Sequence, residues 1–249
     1  MIGGLSGFSG PRFDFQHQGS LKKSYIIAAT YRSGSTYLCH TLWTTGLLGA
    51  PFEYFNYENE MRVLFSRVNA ESMEDYVKKL LLLRTSGNGI FGVKAHFHHF
   101  KAALQQYPEL LHDINVINFF YIVRRNKIAQ AVSLAKAYQT RAWSSLDRET
   151  RVRLFYHGEF IEECLKEIIE QAEQWAHWFT LNNIEPTIVF YEDLLQKKSK
   201  VVESFVNNLG VMNDEPTKVV LPELERQSDV TNEEWIRKFE ADKNVSDIK

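Results

Sequence analysis

The residues of this 249-residue chain with the most chemistry in them cluster around one short stretch, Arg32-Ser33-Gly34-Ser35-Thr36. It follows an apolar run at 25–29 and precedes residues suited to start a helix. A strand, a tight loop and a helix together offer backbone N–H groups and a positive helix end to an anion. Gly34 relieves the turn, and small neighbours let the backbone approach a phosphate-like group closely. Ser33, Ser35 and Thr36 contribute hydroxyls, while Arg32 adds a permanent charge in a planar fork. Two adjacent arginines, Arg124 and Arg125, close a second apolar run at 118–123, and Ser133 follows Arg125 by eight residues. An arginine fork can meet two phosphate oxygens at once.

The loop differs from the nucleotide-triphosphate pattern G-x-x-x-x-G-K-[ST]. Laid on 29–36, the pattern matches Gly34 and Thr36, but Ser35 stands at the lysine position and Ala29 replaces the first glycine. No obvious acidic residue ends a neighbouring run to hold Mg²⁺. The loop is shaped for phosphate and poorly equipped for metal-bound ATP. Lys94 ends the apolar run at 90–93, on the edge where open α/β sheets place ligands, and suits a transferring anionic group or an acceptor. His96 follows it at the edge of that site. The stretch "HFHH" at 96–99 does not set three ligands on one element in tetrahedral geometry, so no metal is expected.

Four short apolar runs must position these residues: 25–29, 90–93, 118–123 and 187–191, with helical stretches between them. Near-continuous apolar strands alternating with helices predict an α/β fold with a central parallel sheet flanked by helices. The three- and four-residue spacing of Phe160, Ile161, Cys164, Leu165, Ile168, Ile169, Ala172, Trp175, Ala176 and Phe179 predicts a helix from about 151 to 181 with that stripe as its core face. Another amphipathic helix is expected after 191–195, burying Val201, Phe205 and Leu209. Residues 1–22 are glycine- and serine-rich without a period and read as a flexible lead-in to one domain at 23–249. The charged tail from 232 reads as a helix that frays.

The formal net charge of -2 argues against a nucleic-acid partner, so any anion must be met by a local site. Cys39 and Cys164 alone make neither a disulfide framework nor a metal cluster. Residues 1–20 lack a signal-peptide pattern, and "VINFFYIV" at 116–123 is too short to span a bilayer. A cytoplasmic protein without stable membrane insertion is the expectation.

"YRSGSTYL" (31–38) resembles the 5′-phosphosulfate loop of sulfotransferases that use 3′-phosphoadenosine 5′-phosphosulfate (PAPS). The chain from about 25 to 235 is similar to bacterial sulfotransferases of the trehalose 2-sulfotransferase and nodulation-factor type. The similarity includes, in order, "GAPFEYFN" (49–56), "FGVKAH" (91–96), "IVRRNKIAQAVSLAKAYQTRAW" (122–143), "YHGEF" (156–160), "VFYEDLL" (189–195) and "LERQSD" (224–229). The resemblance implies a P-loop-like three-layer fold and PAPS as donor, without a metal. Arg32, Ser33, Gly34, Ser35 and Thr36 would meet the 5′-phosphosulfate. Arg125 and Ser133 would meet the 3′-phosphate, with Arg124 as the alternate and Arg226 as a further basic contact. It implies Glu53 as general base for a carbohydrate or glycolipid hydroxyl, a role that spacing alone cannot assign. Gln139, Arg141 and Trp143 resemble acceptor-lining residues, though Trp143 equally suits a core position. A homodimer is one assembly the resemblance allows. A nucleotide-dependent small-molecule kinase and a non-catalytic nucleotide- or glycan-binding module remain the rival readings.

Overall fold

The computed structural model describes residues 7–16, 19–143, 152–211 and 229–246. Among them, β1 (Lys23–Ala29), β2 (Ile90–His96), β3 (Val116–Val123) and β4 (Thr187–Phe190) form one parallel sheet in the order β2-β1-β3-β4. Ala29 lies opposite His96 on one side and Ile122 on the other. The chain therefore moves from β1 to β2 on one flank and later to β3 on the other. The crevice beyond such a switch point is where open sheets receive ligands.

The helices are α1 (Ser35–Trp43), α2 (Glu60–Arg67), α3 (Met73–Arg84), α4 (Phe97–Gln106), α5 (Leu110–Asp113), α6 (Lys127–Thr140), α7 (Gly158–Leu181), α8 (Tyr191–Gln196), α9 (Lys198–Leu209) and α10 (Val230–Ser246). α3 packs on β2 and α9 on β3, while α6 packs on α7 and α10. The result is the α/β arrangement expected, a parallel sheet flanked by helices. Tyr25 to Ala29 of β1 are fully or almost fully buried, as a central strand covered by helices requires. Among the described residues, no helix is long and apolar enough to cross a membrane.

The chain departs from expectation at several local points. β2 continues past Val93 to His96, so Lys94 lies within the strand. α7 begins at Gly158 rather than near 151, because the His157 side chain accepts the Phe160 N–H at 3.0 Å and caps it there. Its buried stripe is Ile161, Cys164, Ile168, Gln171, Trp175 and Phe179, whereas Ile169 and Ala176 are exposed. Val201, Phe205 and Leu209 of α9 are buried as expected. α10 buries Trp235 and Phe239 in a cluster with Ile161 and Ile168 of α7 and Val132 of α6.

Within the stretch expected as a lead-in, residues 7–16 pack two aromatic rings onto the domain. Phe8 stacks on Phe52 at 4.6 Å, and Phe13 packs against Trp43 and Phe52 at 4.6 and 4.9 Å. Two large aromatic rings bury enough apolar surface to hold a segment that has no regular period.

Candidate active site

The loop leaving β1 is braced before it reaches any ligand. Ala29 O accepts from Trp175 Nε1 at 3.1 Å and lies 3.2 Å from His96 Nδ1. Gln130 Nε2 donates to Thr30 Oγ1 and to Tyr31 O, and Tyr31 N–H donates to Gln171 Oε1 at 3.3 Å. The polar interruption in the α7 stripe is thereby explained: Gln171 is buried to satisfy a loop amide. Arg32 takes φ 57°, a left-handed conformation uncommon outside glycine and asparagine. Its Nε donates to Ser133 Oγ at 3.0 Å and its guanidinium also donates to Trp143 O. The loop arginine is thus joined to the α6 serine.

Gly34 caps α1 with φ 88°, and a Cβ there would come within 2.2 Å of Tyr191 Cδ2. Conformation and the closeness of the Tyr191 ring both demand glycine at the start of α1. Ser33 Oγ is buried with no hydrogen-bond partner among the described residues. Ser35 is buried in the first turn of α1. Thr36 Oγ1 accepts from Lys94 Nζ at 3.0 Å. A lysine therefore does reach this loop, from β2 instead of from within the motif.

Glu53 arrives at the same point by an added edge pairing. Gly49 takes φ 70° and passes so close to β2 that a Cβ would lie 2.9 Å from Ile90 O. Phe52 then forms a single parallel bridge with Val93, its carbonyl accepting the Lys94 N–H at 3.0 Å. Glu53 Oε1 pairs with Lys94 and lies 3.6 Å from His96 Nε2, while Oε2 accepts from Asn56 Nδ2 at 3.0 Å. Burial pushes the carboxyl up, but the attraction of Lys94 and His96 outweighs it and holds Glu53 well below the usual carboxylate range. Burial likewise disfavours the Lys94 charge, and Glu53 overcomes that cost to raise the lysine. A continuous polar chain, Glu53–Lys94–Thr36, connects a partly buried carboxylate with the anion-shaped loop.

The two arginines after β3 diverge. Arg124 rests over the Tyr191 ring at 5.1 Å, the same ring that faces Gly34. Arg125 is half exposed, donates to both Asp193 oxygens at 2.9 and 3.3 Å, and lies over Phe190 at 3.9 Å. Gln139 exchanges two hydrogen bonds of 3.0 Å with the Phe155 backbone, which ties the end of α6 to the segment before α7. Arg141 is the exposed left-handed cap of α6, with φ 56°. Trp143 is exposed and meets Tyr31 at 5.8 Å and Tyr138 at 5.3 Å. Arg226 lies outside the described residues. Sequence reasoning missed Tyr31, Tyr191 and Gln171; the fixed spacing of the first two from the loop and from β4 was a signal, while a lone glutamine in an apolar stripe was not.

A family model described as Stf0 sulphotransferase matches residues 24–242. The chain is 28% identical over 256 residues to a protein of Mycolicibacterium smegmatis named trehalose 2-sulfotransferase. It is also 28% identical over 258 residues to one of the same name from Mycobacterium tuberculosis. Each match covers 88% of this chain and 95% of the relative. A solved sulfotransferase from Alicyclobacillus acidocaldarius aligns with a TM-score of 0.48 at 15% identity, over 88% of this chain and 92% of that chain.

Proposed function

Since the chain belongs to the Stf0 sulphotransferase family and is a sulfotransferase, we propose that it moves a sulfonate group from PAPS to a hydroxyl of a carbohydrate or glycolipid, with Glu53 as general base. The observation that carries this reading is the Glu53–Lys94–Thr36 connection, a carboxylate wired to a loop suited to a phosphosulfate. The relatives' name makes trehalose the first acceptor to assay.

The loop passes two tests of fit for such a donor. Ser33 Oγ is a buried hydroxyl without a partner among the described residues, and the backbone at Gly34 tolerates no side chain. When bound, PAPS supplies the activated sulfonate and a nucleotide leaving group. Arg32, Ser33, Gly34, Ser35 and Thr36 would hold its 5′ end, and Ser133 with Arg125, or with Arg124, its 3′-phosphate. Lys94 would neutralise charge on the transferring group.

Glu53 is ionised across the neutral range, so it is ready to accept the acceptor's hydroxyl proton. Its low basicity suits a late proton transfer, because the attacking oxygen turns acidic as its new bond forms. Such a positioned base contributes about 10²–10⁴-fold. Glu53→Gln should therefore lower transfer of radiolabelled sulfonate from PAPS to trehalose at least ~10²-fold. Affinity for the spent donor, 3′-phosphoadenosine 5′-phosphate (PAP), should stay unchanged in calorimetry. Undiminished turnover would remove Glu53 from the role.

A further inference from the structure

β2 runs straight into α4: His96 ends the strand, and His98 and His99 lie in the first helical turn. His99 is 3% exposed, yet neither ring nitrogen has a hydrogen-bond partner among the described residues. An imidazole carries at least one donor, and buried polar groups are ordinarily matched. A ring left wholly unmatched in a protein interior calls for a polar ligand or water. Its surroundings indicate which. The His98 ring lies 3.9 Å from His99, and His98 Nε2 is 3.3 Å from Tyr31 Oη. The His96 ring is 6.4 Å from His98 and 6.3 Å from His99, with its Nε2 beside Glu53. Tyr57, exposed and on the loop that carries Glu53, meets the His99 ring edge-on at 5.0 Å. The cluster thus joins the carboxylate, through His96, to Tyr31 at the start of the anion-shaped loop and to the exposed Tyr57.

We propose that His98 and His99, with Tyr57 over them, are the acceptor-recognising residues of this enzyme and take the hydroxyls of a neutral polyhydroxyl molecule. Burial, and then the neighbouring imidazole, holds His98 below its usual value and His99 down to about 3, so neither carries charge near neutrality. A neutral imidazole is donor on one nitrogen and acceptor on the other, the complement of a hydroxyl, which is both. The charged neighbours that act on His98 and Tyr31 are the carboxylates Glu53 and Glu58, and on Tyr31 also Glu167. A negative acceptor would be repelled there by these carboxylates. The rings offer stacking surface to the apolar face of a sugar.

This inference rests on the sulfotransferase reading above, and the two fail differently. The test measures sulfonate transfer from labelled PAPS to trehalose, glucose and glucose 6-phosphate, with PAP affinity measured alongside. Expected for His99→Phe is a rise in acceptor KM on the order of tenfold or more, with PAP affinity within twofold of wild type. His99→Gln, which keeps a donor and an acceptor, should recover part of the loss. If His99→Phe does not fold, His98→Phe and Tyr57→Ala carry the same expectation. Glucose should be sulfated at least tenfold more efficiently than glucose 6-phosphate. An unchanged KM in the folded variants, an equal loss of PAP affinity, or equal use of both sugars overturns the assignment while leaving the enzyme a sulfotransferase. A wild type that binds PAP and sulfates none of these sugars overturns the carbohydrate reading, and this inference with it.

Discussion

Arg125 donates both guanidinium arms to Asp193 and its main-chain N–H to Glu192, so any phosphate it meets must compete with two carboxylates. Arg124 has its charge over Tyr191, beside the glycine of the loop. An exposed ion pair contributes little to stability, so a nucleotide phosphate can displace Asp193 at small cost. Arg125→Ala should accordingly weaken PAP at least tenfold more than adenosine 5′-phosphate, which lacks the 3′-phosphate. Equal weakening of the two ligands would pass the role to Arg124, where Arg124→Ala should then show the selective loss.

Among the elements, the segment at 7–16 bears on the site more than its composition suggests. It packs Phe8 and Phe13 on Phe52, the residue before Glu53. Asp14 accepts from both arms of Arg67 at 2.8 and 2.9 Å. Arg84 is fully buried; its Nε lies 3.1 Å from Asp14 Oδ1, close enough for an ion pair, and it donates to Gly10 O at 3.2 Å. Removing one partner of a buried pair strands the other charge, at a cost of about 3–5 kcal/mol. Asp14→Ala should lower stability by that order in urea unfolding. Because the damage lies beneath Phe52, it should reduce kcat more than PAP affinity. An unfolding midpoint equal to wild type would mean that the segment merely rests on the surface.

For the molecule as a whole, a nearly neutral net charge of -2 coexists with a strongly polarised site. On the reading proposed above, the donor would meet main-chain amides and arginines, and the acceptor would meet carboxylates and neutral imidazoles. The Glu53–Lys94 pair sets the pH range of this arrangement. Glu53 is depressed from 4.5, so its stabilising contribution is present above that value and is lost as pH falls through the lower folded one. Lys94 is raised from 10.5, so its contribution is present below that value and is lost as pH rises through the higher folded one. The pair therefore supports the fold throughout the neutral range. Lys94→Met removes the main opposing charge and leaves burial to act on Glu53. The acid limb of kcat/KM against pH should move to higher pH, and an unmoved limb would show that Glu53 does not govern it.

What the chain itself determined are the features decided by residues near one another. The strands, the tight loop at Gly34, the Asn126 cap of α6 and the buried face of α9 all follow from local pattern and turn chemistry. Seven blocks in a fixed order also made the family legible before any geometry. The start of α7 was less legible, because the capping His157 is an uncommon residue for that position. Only the tertiary structure decided that Arg32 meets Ser133 across 101 residues, that Lys94 meets Thr36 across 58, and that Glu53 joins them by pairing beside β2. The physical reason is that a side chain's charge state, burial and reach depend on what surrounds it in space. A glutamate in "APFEYF" or a histidine in "HFHH" reads as an ordinary polar residue until its neighbours are present.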